Sequence, residues 1–160
     1  MIQADITRAV AFTGHRFIRY SDRQWLKTNL ERAITACYQS GIRHFLCGMA
    51  LGFDMFAAET LLAMKTQYPD ILLTAVIPFR GQPCKFNPAD KERYQSILSK
   101  ADNVECLSEA YFDGCFLRRN DYMLSHAHQV IAYYNGEPKG GTFYTCRRAE
   151  RMGLEITNLY

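Results

Sequence analysis

Apolar residues in this chain fall into short continuous runs that alternate with stretches of helical periodicity. "RAVAFTG" (8–14) reads as a buried strand; from Ser21 the pattern turns helical, with Leu26, Leu30, Ala33, Ile34, Cys37 and Tyr38 on one stripe that ends near Gly41. "RHFLCG" (43–48) is a second strand, and the helix entered near Asp54 runs to about Tyr68, where Pro69 stops it. "ILLTAVIPF" (71–79) is a third strand. Asn87 before Pro88 is a good N-cap with proline at the first helical position, and that helix runs to about Lys100. "NVECLS" (103–108), "CFLRRNDYMLSHA" (115–127), "QVIAYYNG" (129–136), "GTFYTCRRAERMG" (141–153) and "LEITNLY" (154–160) continue the alternation as strand, helix, strand, helix and strand.

Such alternation implies right-handed β-α-β units and a doubly wound α/β architecture, a mainly parallel sheet of five to six strands with helices on both faces. The 160 residues suit one domain spanning 1–160, and no linker, repeat or low-complexity segment interrupts them. With 48% hydrophobic and 22% charged residues the composition is that of a globular protein, and no apolar run approaches the ~20 residues of a membrane span. "MIQADITRAVAFTG" carries an early acid and leads into a strand, so it is not read as a secretory signal, and the cytoplasm is the expected compartment. Cysteines 37, 47, 84, 106, 115 and 146 show neither C-x-x-C nor metal-ligand spacing; they are expected to be small core residues, and no metal or cofactor is named by them. A formal charge of +3 admits an anionic ligand but lacks the dense basic stripe of a duplex-binding protein.

In an open parallel sheet the ligand crevice lies beyond the carboxyl ends of the strands, where strand order reverses. "TGHRF", "GMALGFD" and "NGEPKGGT" follow the first, second and fifth strands, and "RRNDYM" lies close to the start of the fourth helix. Glycines, a histidine, arginines and an asparagine thus gather on one rim, while "YQSGIRH" and "ERMGLE" on the opposite edge look like plain helix stops.

The G-x-x-x-G-x-D pattern of Gly48, Gly52 and Asp54 is neither the dinucleotide fingerprint nor a P-loop. It is either a tight strand-to-helix turn with Asp54 as N-cap, or a site whose carboxylate accepts from ribose hydroxyls. In "KGGTFYTCRR", Gly140 and Gly141 permit close backbone approach, Thr142 can cap the helix, and no acid occupies the first turn, so this helix start is the expected phosphate site. His15 and Arg16 follow a strand-end glycine, Gly14. A cation near a helix start opposes the helix dipole, so Arg118 or Arg119 is expected to have an anionic partner; Arg147, Arg148 and Arg151 read as a solvated face.

The ordered set "FTGHR", "CGMALGFDMFAAE", "IPF", "RRNDYM" and "IAYYNGEPKGGTFYT" resembles the YpsA-like family of the SLOG superfamily, over nearly the whole chain. The resemblance implies a Rossmann-like fold and binding of a nucleotide-derived ligand or of nucleic acid, as in the cytokinin-activating phosphoribohydrolases and DNA-processing protein A. Carried over by motif, the ligand-binding positions are Gly14, His15, Arg16, Gly48, Gly52, Asp54, Arg119, Asn120, Gly140, Gly141 and Thr142. Phe17 stands where the family commonly has proline, and Asn135 where it often has aspartate. Aligned on "GT", Thr145 replaces the catalytic glutamate of the phosphoribohydrolases, which counts against glycosidic hydrolysis.

The expected function is a binding module, in the manner of a sensor, for a nucleotide or nucleotide-derived ligand. The alternatives are an enzyme acting on such a ligand, with His15, Asp54 or Glu59 as base, and single-stranded nucleic-acid binding. The 10 Tyr and 10 Phe make a homodimer the expected assembly.

Overall fold

The computed structural model describes residues 8–160; the reading that the start of the chain is not a secretory signal rests in part on residues 1–7, which lie outside that range. In chain order the elements are β1 (Ala9–Gly14), α1 (Arg23–Gln39), β2 (His44–Cys47), α2 (Phe53–Met64), β3 (Leu72–Ile77), α3 (Pro88–Lys100), β4 (Asn103–Cys106), α4 (Cys115–Ser125), β5 (Gln129–Tyr133), α5 (Gly141–Arg151) and β6 (Glu155–Asn158). Every strand pair is parallel, in the order β4-β3-β2-β1-β5-β6. The chain steps outward from β1 to β4, then crosses back to lay β5 on the other side of β1, with Gly14 opposite Tyr133. The reversal therefore lies between β1 and β5.

Period-two alternation along β1 divides the core. Val10 and Phe12 join Leu26, Leu30 and Ile34 of α1, Leu61 of α2 and Ile97 of α3 on one face. Ala9 and Ala11 face Met123 of α4, and Val130 and Ala132 face Cys146 and Ala149 of α5, on the other. The four inner strands are almost wholly buried, as strands covered on both faces must be, whereas edge strands β4 and β6 carry Asn103, Glu105, Glu155 and Asn158.

Helix ends on the edge away from the reversal close as the sequence implies. Gly41 N–H bonds to the Tyr38 carbonyl and Ile42 N–H to that of Cys37; Gly153 and Leu154 repeat the pattern on Glu150 and Ala149. Both are Schellman stops with glycine at positive φ. Asn87 caps α3 by accepting from Asp90 N–H at 2.8 Å. The helix after β2 ends at Met64 rather than near Tyr68, because the following turn tightens, with Lys65 N–H on the Leu62 carbonyl and Gln67 N–H on that of Met64. Cys37, Cys47, Cys115 and Cys146 are buried as expected; Cys84, carried by a short 3-10 turn absent from the sequence reading, is exposed.

Candidate functional site

At the reversal, the loop after β1 is locked from two directions. His15 N–H donates to the Tyr133 carbonyl at 3.1 Å, and Phe53 N–H, opening α2, donates to the His15 carbonyl at 3.0 Å. Gly14 is obligatory here, since a Cβ would stand 2.5 Å from the Phe53 ring. The His15 ring sits among Tyr133, Tyr134 and Tyr160, and its Nε2 accepts from Asn135 N–H at 2.9 Å. That bond assigns the proton to Nδ1 and occupies the nitrogen a general base would use, so His15 holds the β1 and β5 loops together.

The loop after β2 is strained and heavily tied. Met49 is fully buried at φ +62°, a conformation non-glycine residues seldom adopt. The Gly48 carbonyl accepts from both Arg119 and, at 3.1 Å, Gln82 Nε2; Gln82 in turn accepts from Tyr94. Ala50 N–H donates to Asp54 Oδ2 at 3.2 Å. The N-cap of α2 is Gly52, which corrects the reading of Asp54 as a cap: Asp54 lies inside the first turn and reaches back to the loop.

Asp54 is 5% exposed and Arg119 4%. Burial pushes the Asp54 carboxyl up to about 6, although the Arg119 charge, the Ala50 amide and Arg16 all pull it down. Burial likewise lowers Arg119, against the attraction of Asp54. A carboxylate supplied by α2 and a guanidinium supplied by α4 thus share the water-poor interior of the switch point. The expectation of an anionic neighbour for one of the two arginines holds for Arg119 through Asp54. The guanidinium also donates through Nη1 to the Gly48 carbonyl and through Nε to Asn120 Oδ1, the latter at 2.7 Å, while Arg119 lines the cavity between these loops.

Between these loops lies a cavity of about 290 Å³. Of the eleven residues chosen from sequence, Gly14, His15, Arg16, Asp54, Arg119, Asn120, Gly140, Gly141 and Thr142 line it. Gly48 and Gly52 do not; they stand behind it. A Cβ on Gly48 would come within 2.7 Å of the Arg119 guanidinium, and one on Gly52, at φ +82°, would overlap the Arg16 backbone. Glu59 is outside the cavity and paired with Arg93, which removes it as a base. Thr142 does not cap α5: the N-cap is Gly140, no side chain caps the helix, and the first turn holds no acid. Thr145 is buried and donates to the Gly141 carbonyl at 2.9 Å, so its hydroxyl is turned into the helix.

Sequence reading missed Ala50, Phe116, Leu117 and Lys139, which line the cavity together with Phe12, Thr13 and Met123. It also missed a larger hollow of about 560 Å³ that shares Arg16, Ala50 and Phe116 with the first and continues along Phe79, Phe86 and Tyr111. A readable signal was present in Phe79, the aromatic that ends the third strand run, on the carboxyl edge.

A doubly wound, all-parallel sheet with a polar, glycine-lined hollow at the reversal of strand order is a Rossmann-like α/β fold. The chain belongs to the YpsA family, described as the YspA SLOG family, whose model matches residues 13–157. Among curated proteins it is similar to a UPF0398 protein of Bacillus pumilus (strain SAFR-032), 28% identical over 129 residues that cover 79% of this chain and 69% of the relative. It is also similar to a UPF0398 protein of Bacillus thuringiensis (strain Al Hakam), 28% identical over 137 residues, 84% of this chain and 74% of the relative. Of solved structures, it resembles DNA processing protein A from Helicobacter pylori, described for its single-stranded DNA binding mode, with a TM-score of 0.66 at 19% identity over 97% of this chain and 66% of the other. TM1055 follows with a TM-score of 0.56 at 13% identity, covering 93% of this chain and 72% of that one. At these identities the structural likeness establishes the fold.

Proposed function

We propose that the chain is a cytoplasmic binding module, acting as a sensor, for a nucleotide or nucleotide-derived small ligand, with phosphate against the start of α5 and ribose beside Asp54. The observation that carries this reading is the 290 Å³ cavity, into which α5 turns an uncapped N-terminus next to exposed Arg16 and Lys139. Free amides and the positive end of the helix dipole favour an anion there, and Gly140 and Gly141 leave the backbone approachable. Asp54 gives one oxygen to Ala50, and the other serves a sugar hydroxyl. Hydrolysis is the weaker reading: Thr145 is turned inward, His15 Nε2 is occupied and Glu59 is elsewhere, which leaves Asp54 as the one named base in the cavity.

Calorimetric titration with a nucleoside 5′-monophosphate, the matching nucleoside and ribose 5-phosphate tests the proposal. Saturable binding that requires the phosphate is the expected result; affinity indifferent to the phosphate defeats it. Mass spectrometry of small molecules retained through native purification would name the physiological ligand.

One observation favours single-stranded nucleic acid as a second reading. Beside the cavity, Phe17 is 75% and Tyr20 86% exposed, interleaved with exposed Arg16, Arg19 and Arg23. Rings on which bases stack and cations that follow a backbone are what such binding uses, and its affinity would fall steeply with salt. The homodimer is retained as a proposal on the same exposed aromatics together with Trp25 and Tyr160; light scattering that gives a monomer at high micromolar concentration refutes it.

A further inference from the structure

We propose that the 560 Å³ hollow is the subsite for the planar heteroaromatic base of the ligand, a reading that rests on the phosphate occupying the smaller cavity. The two hollows meet at Arg16, Ala50 and Phe116, so a molecule with its anionic end at α5 extends past Phe116 into the larger one. Their characters differ. The smaller is walled by glycines, Asp54, Asn120 and charged groups; the larger is mainly apolar, and its polar residues are Arg16, Gln82, Cys84, Lys85 and Tyr111.

Aromatic geometry gives the larger hollow its selectivity for flat rings. Phe79 meets Tyr111 edge to face at 5.5 Å and Phe116 at 6.0 Å, which makes a rigid three-ring wall. The Arg16 guanidinium lies 5.4 Å from the Phe116 centroid and that of Arg119 5.8 Å, so the ring is held at the junction by two cations. Tyr111 is 58% exposed, which leaves its ring available to a stacking partner. Gln82 is buried, and its amide is held at both ends by Gly48 and Tyr94. No carboxylate lines the hollow; Arg16 and Lys85 supply donors for the acceptor-rich edge of a purine or pyrimidine.

The test compares nucleoside 5′-monophosphates with the matching nucleosides and with ribose 5-phosphate by calorimetry, in the wild type and in Tyr111→Ala, an exposed position outside the core. The wild type should bind nucleotides about tenfold or more tighter than ribose 5-phosphate, the scale of one base stacked on aromatic side chains. Tyr111→Ala should remove most of that gap and leave ribose 5-phosphate unchanged. Equal affinity of nucleotide and sugar phosphate in the wild type, or a gap untouched by Tyr111→Ala, overturns the base subsite while the phosphate site stands. Nucleoside binding sensitive to Tyr111→Ala with no contribution from phosphate does the reverse: it upholds the aromatic subsite and defeats the phosphate reading. Absence of binding by every probe overturns both.

Discussion

Arg119, on the helix covering one face of the sheet, donates to the Gly48 carbonyl in the loop leading to α2 on the opposite face. The bond passes across the carboxyl edge and fastens the two layers at the switch point. Asn120 steadies the guanidinium, and Gln82 reinforces the same carbonyl.

Removing that guanidinium is expected to weaken the fold before any effect on ligand can be read. Arg119→Ala strands the Gly48 carbonyl with one donor and leaves Asp54 buried without its nearest positive charge. The expected cost is about 1–3 kcal/mol, the range for leaving a buried polar group short of a hydrogen-bond partner. Arg119→Lys keeps the charge but not the two-sided hydrogen bonding, and should fall between. Urea melts of the three proteins decide this; a fully stable Arg119→Ala would mean that the cross-layer bond carries no stability.

The pH dependence should be unusual for a carboxylate. Burial places the folded-state value of Asp54 at about 6, above the 3.8 of an unperturbed aspartate. Between those values the native state holds a proton that the unfolded state releases. The stability this contributes is complete below the unfolded value and is lost as pH rises through about 6. At neutral pH the charged form costs up to roughly 3 kcal/mol. Asp54→Asn has no proton to lose, so its stability relative to the wild type should rise between pH 4 and pH 7. Parallel thermal-melt curves across that interval would refute the assignment.

The order and type of nearly all elements were legible because the inner strands are continuous apolar runs and because Asn87, Gly41 and Gly153 are strong helix signals. The rim was legible for the same reason: a parallel alternation puts every strand's end loop on one edge. Partners were not. Arg119 reads as a cation at a helix start, and only the third dimension shows it reaching across 71 positions to Gly48. Asp54 reads as a cap until Gly52, at positive φ, is seen to begin the helix before it. The aromatic hollow escaped because Phe79 and Phe86 come from the β3–α3 connection, Tyr111 from the β4–α4 loop and Phe116 from the first turn of α4, and no spacing rule links them.

Thiol reactivity offers a check on the larger hollow that needs no ligand. Cys84 lines it and is exposed, whereas Cys37, Cys47, Cys115 and Cys146 are buried, and burial pushes the Cys37 and Cys146 thiols up to about 11. A protected, protonated thiol reacts slowly. Native titration with an aromatic disulfide should therefore show Cys84 as the fast site, absent in Cys84→Ser, and a bulky maleimide there should obstruct the hollow. Equal reaction of the buried thiols would show that the core opens on the labelling timescale.

Finally, glycines of the two edges should respond differently to alanine. Gly41 has positive φ and open space around it, so Gly41→Ala should cost only the left-handed strain of about 1–2 kcal/mol. Gly52→Ala adds an overlap with the Arg16 backbone, which no rotamer relieves, and should cost about 3 kcal/mol or more. Gly141 is the informative case. It opens α5, its φ lies outside the left-handed region, and an added Cβ would meet nothing nearer than Asn120 Nδ2 at 3.9 Å. Gly141→Ala should thus be neutral or stabilising by up to about 1 kcal/mol, through the lower entropy of the unfolded chain. The same methyl, however, faces the cavity where a phosphate oxygen would approach the backbone, so affinity for ribose 5-phosphate should fall. A stabilised protein that binds phosphate less well separates function from folding at one position; unchanged affinity in Gly141→Ala would move the phosphate away from the start of α5.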